Sequence, residues 1–246
     1  MKVYTWESIK DILEGIQKEL SERFKNNLKS LILYGSWVKG TASTDSDIDL
    51  FALFARVKKQ TGKFVYDIAR SVDTERCITI IPASLEGFQK EKLPIYTAVK
   101  REGKIIYGDT DLSINPEPAK VKYSEFFRNS HRFESQKIGI AEELLGKDLT
   151  SGIPELCFVA SKHAIQAALA MKGEGYSSKI FVLLPLSKKY LDREIAPVFR
   201  SLFGLYIKSE YGMEFLTDGE ARLAIKYAKK IMGVYQLETK NNNRRH

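Results

Sequence analysis

Three short apolar runs, SLILYGS (30–36), DIDLFALF (47–54) and CITIIPA (77–83), lie in the first third of the chain, each bounded by Gly, Ser, Asp or Pro. Runs of that length with such boundaries predict strands buried in a sheet. Between and before them the spacing changes. Trp6, Ile9, Ile12, Leu13, Ile16, Leu20 and Phe24 recur at threes and fours and predict a helix over about 6–27; GKFVYDIARSVD (62–73) and LEGFQKEKLPIYTAVKREG (85–103) predict two more. Strands interleaved with helices imply an α+β layer built on a small sheet.

The stretch 108–126, GDTDLSINPEPAKVKYSEF, is rich in turn formers and holds two prolines in three residues, which places a domain boundary near 113–120. We therefore expect two domains, 1–115 and 116–246. Beyond the boundary strand-like alternation gives way to five segments with helical spacing, among them PELCFVASKHAIQAALAMKG and DGEARLAIKYAKKIMGVYQLE. Pro154 suits a helix start, and Thr217 or Asp218 suits a cap. The second part is thus expected to be an all-α bundle of four or five helices, ending in a polar, disordered tail from about Thr239.

A chain of 246 residues with 43% hydrophobic side chains can bury a core without staples. Cys77 and Cys157 lie far apart in apolar segments, with no Cys or His at metal-ligand spacing. They predict two buried thiols in a reduced compartment rather than a disulfide framework or a zinc site. No stretch approaches the roughly 18 apolar residues of a membrane span, so a soluble cytoplasmic protein is expected. The formal charge of +8 is uneven. Residues 1–115 carry 18 basic and 16 acidic side chains, and the remainder carries 21 and 15. The excess is scattered along helices without an aromatic-basic motif, so nucleic acid is not the favoured partner, and homodimerisation of the basic, aromatic-rich bundle stays open.

The chemistry concentrates in LYGSWVKGTASTDSDIDLFALF (33–54). Residues i and i+2 of a strand share a face, so Asp47 and Asp49 leave the sheet side by side while Ile48 and Leu50 enter the core. Two neighbouring carboxylates suit Mg²⁺, or Mn²⁺, which takes oxygen ligands and completes its shell with water and substrate phosphate. Gly35 lets backbone approach phosphate and Ser36 adds a hydroxyl, at a point where a strand gives way to a helix start. Lys39 adds a positive charge, and Gly40 with the polar link through Ser46 returns the chain to the next strand.

GSWVKGTASTDSDIDL resembles the signature of the polymerase-β-like nucleotidyltransferase superfamily, in its minimal nucleotidyltransferase branch: Gly-Ser, a Gly four residues beyond the Ser, then Ser-Asp-x-Asp-Leu. The resemblance covers roughly residues 5–110. It implies a nucleotidyltransferase fold with a small mixed sheet, Gly35 and Ser36 on the β- and γ-phosphates of an NTP (ATP by preference), Asp47 and Asp49 as ligands of two Mg²⁺ ions, and transfer of NMP to an acceptor hydroxyl on a small molecule or protein. More weakly, the helical part resembles the HEPN domains found beside such enzymes, with the NTP lying in a cleft between the two parts. HEPN nucleases carry Arg, four to six residues, then His; here Arg200 is followed by Tyr206 where His is expected. That departure argues against a ribonuclease of that kind, and His131, His163 and His246 are expected to be structural or solvated.

Superfamily enzymes use a third acid on the following strand, and setting ITIIPASLEGF against that pattern puts Thr79 in its place. A threonine is neither an anion nor a base at neutral pH. Glu75 and Glu86 flank the strand at ends expected to lie too far away. Either another acid, Glu134, Glu142 or Glu143, takes the part, or the chain is a nucleotide-binding regulatory module with weak turnover. An RNA-binding helical domain is the third alternative.

Overall fold

The computed structural model describes residues 6–72, 74–174, 177–212 and 215–236; the polar tail, with His246, lies outside them. The chain divides into two units, Met1–Pro116 and Glu117–His246.

In the first unit a short 3₁₀ turn leads into α1 (Lys10–Phe24), followed by β1 (Leu28–Tyr34), α2 (Ser36–Lys39), β2 (Ile48–Phe54), α3 (Thr61–Ser71), β3 (Ile78–Ser84), α4 (Leu85–Gln89), α5 (Pro94–Glu102) and β4 (Lys104–Gly108). The strands form one mixed sheet in the order β3-β2-β1-β4, with β1 antiparallel to β2 and β4, and β2 parallel to β3 through the α3 crossover. β1 and β2 are apolar on both sides because both faces are covered. Leu31, Leu33, Leu50 and Phe54 pack with Leu13, Ile16 and Leu20 of α1 and Val65 of α3; Ile32, Phe51 and Leu53 pack with Phe88 and Val99 from α4 and α5. β3 is an edge strand, which accommodates Pro82 and its missing N–H.

KIIYG adds a fourth strand that the spacing does not mark: five residues carry too little periodicity to show it, and pairing with β1 decides it. One expectation needs correction. The helix expected over 85–103 is two helices. Glu91 breaks it with φ 49°, and Pro94 restarts it. The Glu91 carboxylate, fully buried, accepts hydrogen bonds from Thr97 Oγ1 at 2.6 Å, Lys100 Nζ at 3.2 Å and the Asn115 N–H at 2.5 Å. A buried charge persists only when paired and hydrogen-bonded in this way.

The second unit is helical: α6 (Ala119–Lys122), α7 (Ser124–Leu145), α8 (Ile153–Met171), α9 (Ile180–Tyr190), α10 (Ile195–Glu210) and α11 (Asp218–Met232). α8 is buried almost all round, and its alanines let α7, α9, α10 and α11 pack against it. Pro154 stands in its first turn, and Thr217 caps α11 in a reciprocal box with Glu220. Phe158 stacks between Phe199 and Tyr206. No helix among the described residues is long and apolar enough to cross a membrane.

Candidate functional site

β1 ends at Tyr34, and Gly35 turns the chain with φ 81° and ψ −147°, a conformation that L side chains rarely adopt. The turn is also crowded. A Cβ built on Gly35 would lie 2.8 Å from Asp49 Oδ2. α2 follows for a single turn, and Gly40, left-handed at φ 68°, closes it.

What holds this turn against β2 is Trp37. Its ring is buried in the α1 side of the core, and its Nε1–H donates to the Asp47 carbonyl at 2.9 Å. The indole therefore ties the turn to the backbone of the residue that bears the first carboxylate. Nothing in the spacing of the motif marked Trp37 for this part; an aromatic inside a Gly-bounded polar turn is the signal that was there.

Asp47, exposed, stands one residue before β2, and Asp49, half-buried, lies on the face of β2 that Phe51 and Leu53 continue. In the sheet register Asp49 stands between Tyr34 of β1 and Thr79 of β3. Burial first, and then the Asp47 charge, raise the Asp49 carboxyl above the ordinary aspartate range. Burial and the Asp49 charge likewise raise the Tyr34 phenol. A divalent cation would relieve that repulsion, and the oxygen donors of Asp47 and Asp49 fit Mg²⁺. Among the described residues no set of three or more His, Cys, Asp or Glu is placed to hold a metal ion. The two aspartates would thus hold such a cation together with water and phosphate oxygens.

The other expected site residues fall into two groups. Gly35, Ser36, Lys39 and Gly40 all lie on the turn, and Lys39 Nζ is 2.6 Å from Glu102 Oε2 at the end of α5. Ser46 instead shapes the link before β2: its hydroxyl accepts from the Ser43 N–H at 2.8 Å and lies 3.1 Å from the Ser43 hydroxyl.

Glu75 lies beside the first carboxylate's cavity. It lines one cavity of about 580 Å³ with Asp45, Asp47, Arg76 and Cys77. Two bonds draw its segment in: the Ile48 N–H donates to the Cys77 carbonyl at 2.9 Å, and Arg76 donates to the Thr44 carbonyl while its guanidinium covers the Trp37 ring. Cys77, expected buried, is exposed here because it precedes the strand at the sheet edge; Cys157 is buried. In the helical unit Glu134 accepts from His163 Nδ1 at 3.0 Å and Lys137 Nζ at 2.6 Å, and Glu142 pairs with Lys229. His131 packs on the Tyr235 ring.

Residues 13–108 match the nucleotidyltransferase domain family. A 57-residue segment is 39% identical to the protein adenylyltransferase MntA of Thermococcus cleftensis, a match spanning 23% of this chain and 56% of that relative's length. Among solved structures, the spectinomycin adenyltransferase AAD(9) of Enterococcus faecialis, crystallised with ATP and spectinomycin, superposes with a TM-score of 0.50 at 15% identity. That likeness covers 93% of this chain and 99% of the other, and shows a shared fold.

Proposed function

From the nucleotidyltransferase domain over residues 13–108, we propose that this protein transfers a nucleoside monophosphate, AMP by preference, from an NTP to an acceptor hydroxyl. The observation that carries the proposal is the joining of the Gly35–Gly40 turn to the segment of Asp47 and Asp49 through the Trp37 bond to the Asp47 carbonyl. Gly35 and Ser36 would receive the β- and γ-phosphates, with Lys39 as the nearby cation. Asp47 and Asp49 would hold Mg²⁺, which when bound supplies neutralisation of phosphate charge. The chain's own contribution is mostly positioning: a glycine turn without side chains lets phosphate come close, and Trp37 keeps turn and carboxylates in register.

The preference for ATP draws on the adenylyl-transferring relative and on the ATP named with the solved structure. The acceptor class is a small hydroxylated molecule or a protein side chain. Transfer of label from ATP labelled at the α-phosphate, with Mg²⁺, into a host extract resolved into protein, RNA and small molecules tests the proposal. Label that appears with the unaltered protein and not with Asp47→Asn supports it, and equal label with both overturns it.

One observation favours a second reading, a nucleotide-binding module with little turnover: Thr79, which cannot act as an anion, is the residue paired with Asp49 across β2 and β3. Gain of transfer in Thr79→Asp would support that reading.

A further inference from the structure

We infer that Glu102 is a positioning residue of the phosphate turn: it holds Lys39 while the site is empty and yields it to nucleotide phosphate, so that it sets the affinity for NTP. The inference rests on the nucleotide reading above. The ion pair joins Lys39 Nζ to Glu102 Oε2 at 2.6 Å, and both side chains are about half exposed, so the lysine can exchange one anion for another without unfolding.

Three features of the fold place Glu102 there. It is the last residue of α5, where a carboxylate meets the negative end of the helix dipole and stabilises nothing locally. The residue after it, Gly103, packs so tightly that an added Cβ would lie 2.5 Å from the Val99 carbonyl oxygen and 2.7 Å from Ile32 Cγ2 of β1. Lys104 then pairs with Leu33, two residues before the turn begins. The end of α5 is therefore fixed beside the end of β1, and the carboxylate occupies a local position that helix stability disfavours.

The charges near the turn narrow the role further. Arg76, the cation lining the cavity with Asp47, is engaged by the Thr44 carbonyl and the Trp37 ring. Lys39 is the cation carried by the turn itself, and its partner is an acid. A triphosphate brings several negative charges to this place, so Glu102 and the phosphates compete for one ammonium group. The exchange forms and breaks no covalent bond and moves no proton: one ion pair replaces another.

Exposed ion pairs are weak, so the expected effect is modest, about two- to fivefold in affinity. The test is the binding of ATP with Mg²⁺, measured by calorimetry, to the unaltered protein, Glu102→Gln, Glu102→Asp, Lys39→Met and the double variant Lys39→Met with Glu102→Gln. Glu102→Gln is expected to bind ATP about two- to fivefold tighter, and with a steeper loss on adding salt, because Lys39 is no longer held by a competing carboxylate and is free for phosphate. Glu102→Asp keeps the carboxylate and is expected to stay closer to the unaltered protein. In the Lys39→Met background the same exchange should change nothing.

Equal or weaker binding by Glu102→Gln, or a gain that persists without Lys39, overturns the positioning role and leaves the nucleotide reading standing. If neither the unaltered protein nor Glu102→Gln binds ATP while both remain folded, the nucleotide reading fails and the role of Glu102 fails with it.

Discussion

Gly35 and Asp49 face each other across the end of β1 so closely that a methyl group on the glycine would lie 2.8 Å from Asp49 Oδ2. The glycine is needed for its φ of 81°, and any side chain there would also displace the Asp49 carboxylate. Gly35→Ala is expected to destabilise the protein by about 1–3 kcal/mol and to abolish ATP binding. Chemical denaturation and calorimetry would check the two effects separately.

Trp37→Phe keeps a ring in the core and removes the donor that reaches the Asp47 carbonyl. We expect a stability loss of about 1–2 kcal/mol together with at least a tenfold fall in label transfer, because the carboxylates lose their register with the turn. A variant that folds less stably but transfers label at the unaltered rate would show that the indole bond serves only the fold.

Glu75 shares the cavity beside Asp47, and an acceptor hydroxyl needs a group to receive its proton. Glu75→Gln is expected to lower transfer by roughly 10²-fold with ATP binding retained, whereas Thr79→Val is expected to stay within a fewfold of the unaltered protein. The reverse ranking in the same label assay would rule Glu75 out as that group.

The helical unit has its own acid limit. Burial pushes Glu134 up, but hydrogen bonds from His163 and Lys137 outweigh it and hold the carboxyl below the ordinary glutamate range. A lowered folded-state value contributes stability above the unfolded value, and that stability is lost as pH falls from about 4.5 through the lowered value. Thermal melts should therefore show the second unit losing stability over that window. In Glu134→Gln that dependence should shrink, with a loss of about 1–3 kcal/mol at neutral pH, where a buried pairing partner is removed.

Much of this protein was legible in the sequence because the relevant signals are local. Strand and helix differ in the period of their apolar residues, so β1, β2, β3, α1, α3 and most of the helical unit follow from spacing alone. The end of a strand at Gly35 and the turn after it are local as well.

Other features depend on partners far along the chain, and only the tertiary structure decided them. β4 is a strand because β1 offers it hydrogen bonds. The break at Glu91 holds because Lys100, Thr97 and Asn115 converge on one buried carboxylate. Glu75 reaches the cavity beside Asp47 because Arg76 and Cys77 are tied across the start of β2. Lys39 meets Glu102 because Gly103 fits against β1. Periodicity records how each segment divides its own faces between core and water, whereas pairing, clash and charge compensation arise only when distant segments occupy the same space.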